Sequence, residues 1–313
     1  MKEVLFASGR NIPNVDPQLH AWHWPIPVYL FLGGLAAGLL FFASYYTIIG
    51  KEKEMPAVTK WAPFFVPIAL VVGLGALFYD LTNKLFFWRL YTTIRIESPM
   101  SWGAWALMII TPLSFLWIAS YFKEIFPNWS WKFDFLEKIM DWVTENRKVM
   151  AWILLPMSII LGIYTGILLS AFNARPLWNN SILGPLFLVS GLSTAAALIT
   201  WISKDAHERH LFTKIDLVLI ATELFILTHM FMGFQAGPSV QQEAAFLLNG
   251  GEFTVVFWVF VVILGLVFPA ILEISELIGY KVPVAVPAML VIIGGLVFRF
   301  VMVEAGQITR YLY

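Results

Sequence analysis

The sequence predicts an all-α integral membrane protein that crosses the bilayer eight times. Of its 313 residues, 59% are hydrophobic and 13% are charged, whereas soluble domains carry roughly 25% charged residues. Apolar stretches of about 20 residues, the length that crosses a bilayer as a helix, recur along the whole chain. These stretches lie at 28–49, 61–83, 102–122, 149–171, 182–201, 214–236, 253–275 and 284–304.

The residue counts exclude several classes of function. There is no cysteine, so the chain ligates no iron–sulfur cluster through thiolates and forms no disulfide. The formal net charge is zero and no basic run is present, which argues against nucleic acid as a partner. The sequence also lacks a Walker loop and the His-Glu-x-x-His pattern of zinc hydrolases, and we predict no metal site.

The segment His20-Ala-Trp-His23-Trp-Pro-Ile-Pro precedes the first apolar stretch. Indoles favour the membrane interface, and an imidazole exchanges protons near neutral pH. This segment is therefore either an interfacial anchor or one wall of a site. Within the stretches that follow, Gly-x-x-x-Gly patterns begin at Gly34 and Gly162 and predict close contacts between helices.

The distribution of lysine and arginine predicts the orientation. Twelve of these residues lie on the side of the first, third, fifth and seventh connections, and seven lie on the side of the termini. The positive-inside rule places the richer side in the cytoplasm and both termini outside. On the cytoplasmic side, the connection 123–148 is predicted to form an interfacial amphipathic helix, because hydrophobic residues recur there at helical spacing. These residues are Phe133, Leu136, Ile139, Met140 and Val143.

Ionisable residues inside a bilayer are costly, so each is a candidate for function. In the predicted orientation, one group lies at or just below the outer surface. It comprises His20, His23, Asp80, Tyr164, Arg175, His229, Arg299 and Glu304. A quinone needs hydrogen-bond donors for two carbonyls and a relay for its protons, and this group could provide both. The alternative is that Asp80 with Arg175, and Arg299 with Glu304, are structural ion pairs.

A second group of carboxyls indicates a possible proton path. Glu223 is predicted near the midplane, and Glu273 and Glu276 near the cytoplasmic end of the seventh stretch. The polar run Ser190-Gly-Leu-Ser-Thr194 in the fifth stretch either packs locally or belongs to the same hydrated path. The alternative is a set of buried carboxylates paired with Ser, Thr or Arg299.

A haem protein and a transporter are the other classes to weigh. A bis-histidine haem needs two facing ligands within the helices, but only His229 lies well inside a stretch, and His207 and His210 are predicted in a cytoplasmic loop. We therefore predict no haem. A secondary transporter would favour paired broken helices in two repeated halves, and no such repeat is evident. A purely structural membrane anchor also remains open.

Several motifs together resemble the polysulfide reductase membrane-subunit family, also called NrfD-like. The resemblance runs from the first stretch to the last. The motifs are His20-Ala-Trp-His-Trp-Pro-Ile-Pro with Phe31-Leu-Gly-Gly-Leu-Ala-Ala-Gly38, Phe87-Trp-Arg-Leu with Ser98-Pro-Met-Ser-Trp-Gly103, Tyr164-Thr-Gly-Ile-Leu-Leu-Ser170 with Ala174-Arg-Pro-Leu-Trp-Asn179, Leu186-Phe-Leu-Val-Ser-Gly-Leu-Ser193, and Ala305-Gly-Gln307.

The resemblance implies a haem-free, quinone-reactive subunit of eight helices in two four-helix bundles. We accordingly expect an outer N-terminal segment at 1–27, a first bundle with the quinone site at 28–171, a second bundle at 182–304 and an outer tail at 305–313. The family also implies a bacterial or archaeal inner membrane. Its partners are a four-cluster ferredoxin-like iron–sulfur subunit and a molybdopterin or multihaem cytochrome catalytic subunit.

The resemblance further implies which residues bind menaquinone or ubiquinone. His23 maps onto the family's quinone-contacting histidine, and Asp80 onto an acidic residue at the end of the second helix. Tyr164 and Arg175 map by their own motifs, and Trp24 is expected to flank the ring. We expect His23 and Tyr164 to bond the two carbonyls and Asp80 to relay protons, with Arg175 holding the charge of Asp80.

Overall fold

The computed structural model describes residues 22–128 and 134–311, and every regular element in these ranges is helical. Eight of the helices are long and apolar enough to cross a membrane, which confirms the predicted fold class. We call them the first to eighth spans. They are Pro25–Ile48, Ala57–Asp80, Pro99–Ile125, Arg147–Ser170, Leu183–Ile202, Ala206–Ala236, Val256–Ile278 and Ala285–Ile308. Shorter helices lie between them at Lys84–Phe86, Arg89–Thr92, Asp134–Glu145 and Ser239–Asn249.

The sixth span begins eight residues earlier than predicted, whereas the other boundaries agree to within four residues. Its first turn is polar, so hydropathy alone does not reveal it. The Asp205 carboxylate accepts a hydrogen bond from the Glu208 amide at 3.1 Å, as a helix-capping residue does. His207 and His210, predicted in a loop, therefore lie in the first turns of this helix.

The first span lies at the centre of the molecule and packs against the second, fourth, fifth and eighth spans. Glycines permit the close approach of helices, and Gly38 and Gly166 are two of these positions. A Cβ at Gly38 would overlap the backbone of Gly191 in the fifth span, and one at Gly166 would overlap the backbone of Leu183. Both Gly-x-x-x-Gly predictions are confirmed as sites of helix contact. The division into two bundles stays a prediction.

The two ends of the described chain meet at one end of the helices, which we call the termini face. The Trp22 amide donates to Gln307 Oε1 at 2.9 Å, and Gln307 Nε2 donates to the Trp22 carbonyl at 2.8 Å. This reciprocal pair fixes the entry of the first span against the end of the eighth. His20 lies outside the described residues.

Buried charged groups tie the spans together at the opposite face. Glu208, at the start of the sixth span, accepts from the amides of Ala57 and Val58 and from the Ser203 hydroxyl. It therefore satisfies the free backbone donors that begin the second span.

Arg147 performs a similar role at the start of the fourth span. Its guanidinium bonds Glu52 at 2.9 Å, Glu124 at 3.1 Å and the Ser120 carbonyl at 2.7 Å. The predicted amphipathic helix is confirmed as Asp134–Glu145, with Met140 and Val143 buried. Phe133 and the side chain of Leu136 lie outside the described residues.

Candidate functional site

An imidazole–carboxylate pair lies at the termini face. His23 comes just before the first span and Asp80 ends the second, so antiparallel packing of these two spans brings the residues together. Nδ1 of His23 is 3.2 Å from Oδ1 of Asp80. The His23 side chain is 68% exposed and that of Asp80 only 11%. The pair thus consists of an imidazole open to solvent and a carboxyl that is mostly buried.

Asp80 also lines a cavity of about 190 Å³ that reaches between the first, second and fourth spans. Its walls are mostly apolar, and its polar groups are one carboxyl, two phenols and one hydroxyl. The lining residues are Trp22, Ile26, Tyr29, Leu77, Asp80, Leu81, Thr82, Met100, Tyr164 and Leu168. Apolar walls with a few convergent polar groups are typical of small-molecule sites.

Two phenols form the deep wall of this cavity. Tyr29 and Tyr164 are both buried, and their phenols lie close enough to interact. Tyr164 packs on Gly103 so closely that a Cβ there would overlap its ring. Tyr91 lies close enough to act on both phenols, and burial raises its own pKa. Tyr29 was not among the predicted site residues, because it sits inside a long apolar run.

Arg175 does not meet Asp80, contrary to the prediction. Its Nη1 donates to the Thr309 carbonyl at 2.7 Å, and the described partner of Asp80 is His23. Burial lowers the pKa of Arg175. The sequence predicts that Arg175 and Asp80 lie at the same face of the membrane. It does not predict which neighbouring helix each side chain faces. The structural ion pair between them, weighed as an alternative, is therefore wrong as well.

The two indoles beside His23 have different surroundings. Trp22 lines the cavity and packs on Trp178 with ring centroids 5.2 Å apart. Trp24, the indole expected to flank a ring, is 58% exposed and packs on Tyr79 at 6.1 Å. It is not among the residues that line the cavity.

Arg299 is fully buried between the fifth and eighth spans and is not paired with Glu304 as the sequence suggested. Its guanidinium donates to the Ser190 hydroxyl and to the Phe187 carbonyl, and lies 4.7 Å from the Phe187 ring. Glu223 is close enough to interact with the Arg299 charge and with the Ser190 hydroxyl. The polar run of the fifth span therefore faces Glu223.

A fourth carboxyl, not predicted from the sequence, joins this polar line. Asp216 accepts a hydrogen bond from Ser193 at 2.6 Å and contacts Glu273. Glu276 follows one turn further towards the opposite face. With a predicted start at 214, Asp216 falls near a helix end, whereas it lies ten residues into the helix. The polar first turn of the sixth span was the signal that could have corrected this.

His229 stands apart from both groups. It is exposed on the sixth span, with Nδ1 2.9 Å from the Phe225 carbonyl of the same helix. In the described part of the chain, no three histidine or acidic side chains are arranged to hold a metal ion.

Comparison with known proteins covers nearly the whole chain. Residues 13–310 match the family model described as Polysulphide reductase, NrfD. The protein is 31% identical over 300 residues to the C subunit of polysulfide reductase from Wolinella succinogenes, an alignment that covers 91% of this protein and 94% of the relative. It is 30% identical over 311 residues to protein NrfD of Escherichia coli strain K12, covering 92% and 95%. A NrfD homolog of Haemophilus influenzae is 29% identical over 314 residues, covering 95% and 98%.

Proposed function

This chain belongs to the polysulphide reductase NrfD family, and on that premise we propose that it is the membrane subunit of an oxidoreductase complex. In this complex it exchanges electrons between a membrane quinone and an external iron–sulfur subunit. The Wolinella succinogenes relative is named as one component of a polysulfide reductase, which supports a multisubunit assembly. The partners are a four-cluster ferredoxin-like subunit and a molybdopterin or multihaem cytochrome subunit.

The observation that carries the proposal is an apolar cavity lined by Asp80 and two phenols, with His23 paired to that carboxyl. At about 190 Å³, the cavity is smaller than the roughly 300–1,000 Å³ of sites that enclose a drug-sized ligand. It suits the ring of menaquinone or ubiquinone, with the isoprenoid tail lying outside among the lipids. The phenols offer donors to a carbonyl at the deep end.

The chain's own residues divide the proton chemistry between them. Asp80 accepts the Nδ1 hydrogen of His23, which fixes the imidazole tautomer and its orientation. His23 bonds one quinone carbonyl and, being exposed, exchanges protons with water at the termini face. Tyr164 bonds the other carbonyl, and Asp80 relays the second proton. His23, rather than Arg175, is the described partner of Asp80.

Replacing His23 tests this assignment. We expect His23→Ala to abolish quinone-coupled turnover while the complex still assembles and keeps activity with artificial electron donors. His229→Ala is the matched control, since it removes an exposed imidazole far from the cavity, and it should retain wild-type turnover. Full quinol activity in His23→Ala would remove His23 from the site.

The proton path is a second proposal, favoured by the line of buried carboxyls. Glu276, Glu273 and Glu223 rise from the opposite face towards Arg299, and the polar side of the fifth span lies along them. We expect Glu223→Gln in proteoliposomes to reduce proton uptake per electron. Glu243→Gln, an exposed carboxyl on a surface helix, is the control. Unchanged uptake in Glu223→Gln would eliminate this path.

Purification separates the quinone-linked subunit from a transporter or a structural anchor. Co-elution of iron–sulfur and catalytic subunits with extractable quinone supports the quinone-linked subunit, and a lone chain without quinone contradicts it.

We also propose that the termini face lies outside the inner membrane. Because the chain has no cysteine, Glu243→Cys and Lys138→Cys each give a unique label. An impermeant reagent added to whole cells should reach only the first.

A further inference from the structure

Two buried carboxyls from neighbouring spans contact each other inside the helix bundle. Asp216 of the sixth span has no exposed surface, and Glu273 of the seventh is 2% exposed. The two side chains are within hydrogen-bonding range of one another. Asp216 lies ten residues from the start of its helix, which at 1.5 Å per residue is about 15 Å from the opposite face.

The hydrogen bonds of this pair are incomplete if both groups are ionised. The Ser193 hydroxyl donates to Oδ1 of Asp216 at 2.6 Å. Oδ2 of Asp216 and Oε2 of Glu273 receive no hydrogen bond from any donor in the described part of the chain. Ionised carboxylates only accept, whereas a protonated carboxyl also donates. A single O–H between the two residues satisfies both free oxygens.

The charges around the pair lead to the same conclusion. The charged groups that act on it are Glu223 on the same helix as Asp216 and Glu276 on the same helix as Glu273, both acidic. None of the described ion pairs involves Asp216 or Glu273. Two like charges in contact, buried and without a cation, are strongly disfavoured, and such carboxyl dyads share one proton.

We propose that Asp216 and Glu273 hold one proton between them, with one net negative charge on the pair, and that this pair is the proton store of the path. The store role rests on the proposed proton path, but the shared proton itself does not. When the pair passes its proton towards Glu223, it takes one up from the Glu276 side. No bond other than these O–H bonds changes.

Infrared spectroscopy of the full chain in lipid nanodiscs detects such a proton directly. A protonated carboxyl has a carbonyl stretch that is separate from the carboxylate bands and shifts in D₂O. Asp216→Asn and Glu273→Gln each replace the shared O–H by an amide N–H and keep the net charge of the pair. We expect each single variant to lose the deuterium-sensitive band of the pair completely, while Glu243→Gln keeps it.

The remaining outcomes overturn the proposal in whole or in its store role. A band that survives in either variant assigns the proton to one residue or to another group. A band that appears only after sodium is replaced by choline identifies a cation site instead. Thermal melts check that the variants fold, and either variant alone refutes the proposal if it keeps the band. If the band is lost in both variants but Glu223→Gln leaves proton uptake unchanged, the proton path is wrong. The shared proton between Asp216 and Glu273 is then still supported.

Discussion

Replacing Glu208 with alanine removes three hydrogen bonds: two join the sixth span to the second, and one comes from the connection just before the sixth span. They come from the amides of Ala57 at 3.2 Å and Val58 at 2.9 Å, and from the Ser203 hydroxyl at 2.9 Å. A buried donor left without a partner costs about 1–3 kcal/mol. Three such donors set an upper range of roughly 3–9 kcal/mol, provided that no water replaces the carboxylate.

Water does have access here, which lowers the expected cost. A cavity of about 650 Å³, lined by Pro56, Ala57, Lys204 and Glu208 among others, opens beside the carboxylate. Ala57 and Glu208 both line this cavity, so water in it can replace part of the lost carboxylate, and the Ser203 hydroxyl can still donate to the Asp205 carbonyl at 3.3 Å. We therefore expect Glu208→Ala to lower the free energy of unfolding by about 2–4 kcal/mol.

Denaturant unfolding in detergent, followed by tryptophan fluorescence, measures this loss. Glu208→Gln keeps one acceptor oxygen and should lose about half as much. The control is Glu54→Ala, an exposed neighbour, which should stay within about 0.5 kcal/mol of wild type. Equal stability of Glu208→Ala and Glu54→Ala would refute the view that Glu208 caps the second span.

Three further expectations follow from other contacts. Arg147→Ala should destabilise the fold by about 1–3 kcal/mol, as the same denaturant assay measures. The loss is smaller than that of one partner in a fully buried ion pair, because the acidic partners of Arg147 are partly exposed. Gly38→Val should cost about 1–3 kcal/mol through overlap with the fifth span, whereas Gly75→Ala, which meets no atom within 4 Å, should fold normally in a thermal melt. Asp80→Asn should reduce quinone-coupled turnover roughly 10²–10⁴-fold in steady-state assays, and wild-type turnover would exclude it as a relay.

Hydropathy was sufficient to predict the spans because a membrane helix must be apolar over nearly its whole length. The same rule failed at the sixth span, where the polar first turn hides the true start. With a start at 214, Asp216 falls near a helix end, and its contact with Glu273 leaves no sign in the sequence. A hydropathy average does not detect a helix start that is defined by a capping residue such as Asp205.

The sequence predicted how deep in the membrane the candidate-site residues lie. It did not predict which neighbouring helices they face. His23 and Asp80 border helices that follow each other in the chain, so short connection and antiparallel packing bring them together. Arg175 follows the fourth span, and the direction it faces depends on how the eighth span packs. Tyr29 gave no signal at all, since a tyrosine in an apolar run is indistinguishable from ordinary core.

The bond between Trp22 and Gln307 has a consequence for how the protein is made. Helices enter the membrane in the order of synthesis, and Trp22 forms one wall of the cavity beside Asp80. Its backbone is held by a side chain from the eighth span. The cavity is therefore completed only when the eighth span is inserted, so a chain that stops or stalls before it presents no finished site to its partners.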